Sequence, residues 1–395
     1  MTKTPRASAE MPMIPDAEFA RRFERAQQLV RDAGLDVLVV NSNEADFANV
    51  RYFSDYWPIF EIAGVVIPAD GPGALLIGPE SEAFAADRSK IDRIYKLTAY
   101  RESADPAYPD VEVATFEKVF GDLGVGSPRR IGVAGYLVTT APVLDALREA
   151  CPKAAVERAD AIMVQLRSVK SEAEIACLRK AFEISEIAVQ RVLDRIKPGL
   201  TELQVVGVVQ EAIYEHGAEY EGMPQYVLGG PNTRHAISRP THRVMQPGDM
   251  VQLNLSARVA GYSSGVGVPI CLGAMTDRMK ELTAFGQEAH EKTIEWLRAG
   301  VVAADVAKRY RKLFEDRGYA RNFLYGPCHG LGMIEVEPPW MEEISEYELA
   351  ANMTFQADTF LFDDEFGLRW EDGGCVTAEG FDLFSGRFRG LIELK

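Results

Sequence analysis

The chain has no CxxC pair. Its five cysteines, Cys151, Cys177, Cys271, Cys328 and Cys375, are odd in number and widely scattered, which excludes a fully paired disulfide framework and fits a reducing compartment. Positive charge is also in short supply. With 43 Lys+Arg against 59 Asp+Glu the net charge is −16, which opposes the counterion release that drives binding to nucleic acid and the pull of basic faces onto anionic lipid. Neither partner is therefore expected. Residues 1–15 are polar and rich in Pro and Ala without an apolar run, so they read as a loose leader rather than a signal peptide or membrane span, and a cytoplasmic protein is expected. Internal repeats and low-complexity segments are missing too.

What is present is a globular composition over 395 residues, 47% hydrophobic and 26% charged, enough for two cores. Helix signals from Asp16 to Gly34 give way to a short apolar run, Asp36 to Val40, that reads as a buried strand. Further strands are expected at Gly64–Ile67, Ala74–Ile77 and Arg130–Ala134, with turn chemistry at Pro68-Ala69-Asp70-Gly71. The texture changes at Ser171. Ser171 with Glu174, and Thr201 with Gln204, are capping-box signatures that each open a helix. After Gly217 the pattern is strand and turn, interrupted by helices over about Arg278–Ala299 and Ala303–Gly318. The domain boundaries read as a leader over 1–15, a mixed α/β domain over 16–167 and a second domain over 168–395.

Three stretches of the second half carry chemistry. The first runs from the turn Gln246-Pro247-Gly248-Asp249 into Met250-Val251-Gln252-Leu253-Asn254 and on to Gly261-Tyr262. The second is Cys328-His329-Gly330-Leu331-Gly332, followed by Glu335, Glu337, Pro338 and Pro339. The third joins Asn352–Thr359 to Leu368-Arg369-Trp370-Glu371-Asp372. Asp358 and Glu371 interrupt apolar, strand-like runs where a carboxylate needs a reason, whereas Glu335 and Glu337 sit in an acidic, loop-like segment where solvated side chains are the default. Histidine suits proton transfer because its pKa lies near neutrality, and glycine after His329 allows close approach of backbone to a ligand. Cys328 and His329 are neighbours on an extended segment and point to opposite faces, so Cys328 reads as structural.

Together with Asn49-Val50-Arg51-Tyr52-Phe53-Ser54-Asp55 in the first half, these stretches resemble the creatinase/aminopeptidase P superfamily. The resemblance implies an α/β (α+β) protein with an N-terminal creatinase-like α/β domain and a C-terminal pita-bread catalytic domain. Its metallopeptidases carry one aspartate at the position of Asn254, another eleven residues later at Gly265, a histidine at His329, and two glutamates at Asp358 and Glu371. Two of the four carboxylate positions, Asn254 and Gly265, hold no carboxylate, and the family's second histidine, seven residues beyond the first, falls on Val336. A dinuclear site needs several hard anionic oxygens. The resemblance therefore tilts toward the metal-free creatinase and ectoine hydrolase-like members, which implies a metal-independent hydrolase of a C–N bond in a small nitrogen-containing molecule, with no metal and no other cofactor.

In that reading His329, Asp358 and Glu371 are catalytic. His235 is a second candidate, at about the place of creatinase's catalytic histidine, while the creatinase glutamate falls on Gly267. Asn254 and Glu337 are expected to contact substrate. So are Trp57, Phe60 and Glu61, from a region that in creatinase reaches into a partner's site, and a homodimer is expected accordingly. The alternatives are a metal-dependent Xaa-Pro dipeptidase or aminopeptidase and a non-catalytic pita-bread binding module.

Overall fold

The computed structural model describes residues 11–390 and 392–395; of the expected leader over 1–15, residues 1–10 lie outside the described residues. The chain divides into two compact units, one of residues 14–167 and one that contains 168–395.

In the first unit the apolar runs become strands β1 (Val37–Ser42), β2 (Ala63–Pro68), β3 (Ala74–Ile77), β4 (Ile94–Lys96), β5 (Arg130–Ala134) and β6 (Ala155–Arg158). They form a mixed sheet in the order β4-β3-β2-β1-β5-β6, with β1 antiparallel to β2 but parallel to β5. The central β1, β2 and β3 are buried along their whole length, which is why they lack polar alternation. Val37, Val39, Val66 and Leu76 pack on one face against Phe116, Val119, Phe120, Val143 and Leu147. At roughly 25 cal/mol per Å² of apolar surface removed from water, such a cluster is the main stabilising element of this unit.

In the second unit, helices Glu172–Leu193 and Glu202–Glu215 both begin in complete capping boxes, with Ser171 accepting from Glu174 and Thr201 from Gln204. The strands are β7 (Tyr226–Gly229), β8 (Met250–Leu255), β9 (Arg258–Val259), β10 (Tyr262–Ser263), β11 (Val266–Cys271), β12 (Cys328–Gly330), β13 (Glu337–Trp340), β14 (Thr354–Phe362), β15 (Gly367–Val376), β16 (Phe381–Leu383) and β17 (Ile392–Glu393). Among the described residues the large sheet runs β13-β12-β14-β15-β11-β8-β7, with β16 added on β15 and β17 on β11. Helices Asp277–Trp296 and Ala303–Asp316 cover one face, where Leu282, Phe285, Tyr310 and Phe314 pack on Leu361, Leu368 and Trp370. Strand periodicity then sends Arg369 and Glu371 to the other face.

Candidate metal and catalytic site

Register decides which side chains meet. Asp358 on β14 stands opposite Glu371 on β15, Glu371 opposite Gly267 on β11, and Gly267 opposite Asn254 on β8. His329 on β12 stands opposite Gln356, two residues from Asp358 and hence on the same face. One face of the sheet therefore carries a row of polar side chains through an apolar interior. Gly267 lets the row close up: a Cβ there would lie 2.6 Å from both the Cβ and the backbone nitrogen of Glu371. The glutamate that the resemblance would put at 267 has no room in this chain.

His329 Nε2 lies 3.6 Å from Glu371 Oε1 and 3.8 Å from Glu335 Oε1, and all three residues are buried. Their nearest ligand atoms fall within 4.8 Å of one another. The register between β12 and β13 shifts between His329 and Gly330, and the His329 ring is held by its Nδ1, which meets the Gly330 carbonyl at 3.0 Å. Since a carbonyl only accepts, Nδ1 carries the proton and Nε2 faces the carboxylates. Asn254 donates its side-chain N–H to Glu371 Oε2, while its own Oδ1 finds no hydrogen-bond partner in the protein.

Asp358 is drawn to a different neighbour. Tyr325 donates its hydroxyl to Asp358 Oδ2 at 2.7 Å, and the buried Arg369 guanidinium approaches Asp358 Oδ1 at 3.5 Å while bonding Tyr325 at 2.6 Å and the Ala236 carbonyl at 2.8 Å.

Burial disfavours every charge in this pocket, and the neighbours decide which groups keep theirs. For His329, burial pulls the imidazole down, but the charges of Glu335 and Glu371, with Asp358 behind them, outweigh it and push it up to about 9. Burial and the charge of Glu371 hold Glu335 well above the usual carboxylate range. Asp358 is raised by burial, with Arg369 working against the rise. Glu371 ends below its ordinary value despite burial, because His329, Arg369 and Asn254 all favour its anion.

The structure thus brings together His329, Asp358, Glu371 and Asn254 and adds Glu335, Arg369 and Tyr325, which the sequence reading did not place in the site. Glu335 is 2% exposed rather than solvated. Glu337 is buried as well, in an ion pair with Lys170 at 2.9 Å, so the substrate contact expected of it is replaced by a structural one. Val336, at the place of the family's second histidine, is 43% exposed. His235 is an exposed residue with Ser238 Oγ 3.4 Å from its Nδ1, and is not part of the cluster. Cys328 turns into the core beside Phe355 and Ala357, where burial pushes its thiol well above the ordinary range.

Trp57, Phe60 and Glu61 belong to the other unit. Trp57 donates its indole N–H to the Glu44 carbonyl at 3.0 Å, and Phe60 is exposed. Glu61 is buried and accepts from the Glu80 backbone N–H at 2.9 Å and from the Ser81 hydroxyl. Both its oxygens are thus engaged inside that unit, which corrects its assignment as a substrate contact.

Residues 176–378 match metallopeptidase family M24, and residues 22–169 match the creatinase/prolidase N-terminal domain. A Xaa-Pro dipeptidase of Lactobacillus delbrueckii subsp. lactis is 28% identical over 225 residues, which cover 56% of this chain and 61% of the relative. A Xaa-Pro dipeptidase of Pyrococcus furiosus is 23% identical over 361 residues, 91% of this chain and 96% of the relative. Among solved structures, an X-Pro aminopeptidase of Thermotoga maritima superposes with a TM-score of 0.82 at 21% identity, covering 94% of this chain and 99% of that one. Dipeptidase PepE of Mycobacterium ulcerans superposes with a TM-score of 0.82 at 25% identity, covering 96% and 99%. These likenesses support the expected fold of a creatinase-like α/β domain before a pita-bread domain. They overturn the reading of a metal-independent, creatinase-like hydrolase, because the relatives are Xaa-Pro dipeptidases and the profile is that of metallopeptidases. The chain belongs to metallopeptidase family M24.

Proposed function

We propose that the second unit hydrolyses the peptide C–N bond of a dipeptide-sized substrate with the help of a divalent cation, and that Xaa-Pro dipeptides are the first class to test. The observation that carries the reading is the buried group of His329, Glu335 and Glu371 in a chain of this family, with Glu335 Oε1 finding no hydrogen-bond partner in the protein. One imidazole and two carboxylates form a donor set that suits zinc, manganese or cobalt. The full dinuclear set of the family does not fit, since Asn254 is neutral and Gly265 offers no side chain. A cation bound there supplies a Lewis acid and lowers the cost of ionising water at neutral pH.

The chain's own groups do the rest. Asn254 fixes Glu371 by donating to Oε2, which leaves Oε1 turned to His329. Hydrolysis requires a group to take a proton from the attacking water and a donor for the leaving nitrogen. Asp358 Oδ1 is buried, has no hydrogen-bond partner and belongs to a carboxyl that burial raises above its ordinary value, which suits it to take the water's proton. Tyr325 holds it by donating to Oδ2.

Proline release from Ala-Pro and Met-Pro, followed with manganese, cobalt or zinc added and again with EDTA, tests this function. Release that depends on the cation and stops with EDTA is expected. Proline production unaffected by EDTA, or none with any of the three ions, would rule the reading out.

We further propose that the chain forms a homodimer. Ile59 and Phe60 project from the first unit, 48% and 76% exposed, and Phe60 holds a left-handed backbone (φ 60°) that a bulky side chain adopts only when its surroundings enforce it. Light scattering at micromolar concentration is expected to give the dimer mass and, for Phe60→Ala with Ile59→Ser, the monomer mass. A wild-type monomer contradicts it.

A further inference from the structure

The missing carboxylate at position 265 leaves a steric trace. A Cβ built on Gly265 would lie 2.9 Å from Glu335 Oε1 and 2.8 Å from Gln356 Nε2. The space a side chain at 265 would enter is therefore filled by a carboxylate that arrives from the loop after β12, seventy residues further along the chain. Gln356 donates to the Gly265 carbonyl and so holds that backbone in place beneath Glu335. Glu335 Oε1 is buried, unpartnered by hydrogen bonds and directed at His329.

The charge of the pocket then fixes how many ions it takes. With the carboxyl groups ionised, as a bound cation requires, Glu335, Asp358 and Glu371 bring three negative charges, and Arg369 beside Asp358 cancels one. One divalent ion with a neutral imidazole cancels the remaining two. A second ion would leave two uncompensated positive charges in a buried pocket, which is strongly unfavourable.

Resting on the metal-assisted reading above, we infer that Glu335 has taken over the ligand position vacated at Gly265, and that His329, Glu335 and Glu371 hold a single divalent cation while Arg369 stands in for the second. The carboxylate has moved from one strand to a neighbouring loop, and the donor has been kept although its place in the sequence has not.

Binding of manganese to the full-length protein, measured by titration calorimetry and by metal analysis after dialysis, tests this without reference to activity. Wild type is expected to bind one equivalent. Glu335→Ala should bind at least ~10²-fold more weakly, because loss of an outer-shell partner alone costs 10–100-fold. Removing that carboxylate opens one side of the space beside residue 265, and the Gln356 amide on the other side is the end of a flexible side chain that can shift, so the double variant Glu335→Ala with Gly265→Asp should regain most of the affinity. Near-UV circular dichroism of each variant verifies the fold. Two equivalents in wild type, no binding in wild type, or undiminished affinity in a folded Glu335→Ala would each overturn the inference. One equivalent bound, lost in the single variant and regained in the double, upholds it even if no Xaa-Pro dipeptide is cleaved, an outcome that would sink only the proposed reaction.

Discussion

Replacing His329 with alanine is expected to lower kcat/KM for an Xaa-Pro dipeptide by ~10²–10⁴-fold, the scale of losing a positioned acid-base group or a metal-site ligand. The expectation follows from how the ring is held. Its Nδ1 is committed to the Gly330 carbonyl at 3.0 Å, so Nε2 is the atom presented to Glu371 at 3.6 Å and Glu335 at 3.8 Å. Any ion in this group, and any proton passed to it, meets that nitrogen. Alanine removes it and also relieves the attraction that keeps Glu371 ionised, since His329 is the largest influence lowering that group against its burial. The fold should persist, because the β12 backbone and the Cys328 contacts on the opposite face are untouched. Steady-state kinetics in excess manganese, paired with a thermal melt, checks this. Near-full activity with an unchanged melt would place the site elsewhere in the unit.

Local order was well encoded in this sequence, and the site was encoded in part. Capping at Ser171 and Thr201 depends on residues three apart, and the apolar run that became β1 depends on consecutive side chains, so both could be read before any tertiary structure was known. His329, Asp358 and Glu371 were legible because a histidine next to glycine, or a carboxylate in an apolar strand, is locally anomalous. Glu335 was not, because its role depends on the absence of a side chain at Gly265, and no short-range pattern links the two positions. Glu337 was misread for a related reason. Its partner Lys170 is 167 positions away, and without that lysine an acidic loop looks solvated. Arg369 stood in plain view two residues before Glu371, where strand alternation puts it on the same face.

Arg369 also carries the largest expected stability effect. It is 6% exposed, and its guanidinium lies over the rings of Tyr226 and Phe360 as well as beside Asp358. Replacing it with methionine preserves much of the aliphatic volume but leaves Asp358 and Glu371 facing each other across the β14–β15 ladder without their shared counter-charge. Breaking a buried ion pair by removing one partner costs about 3–5 kcal/mol, because the surviving charge stays buried and unpaired. Urea denaturation in EDTA should therefore show Arg369→Met destabilised by about that amount. Adding Asp358→Asn removes the stranded carboxylate, and the amide can still accept the Tyr325 hydroxyl that now bonds Asp358 at 2.7 Å. The double variant should thus be more stable than Arg369→Met alone, a non-additivity that only direct coupling between the two side chains produces. A single variant as stable as wild type, or a double variant whose losses merely add, would mean that the guanidinium does not balance the pocket's charge.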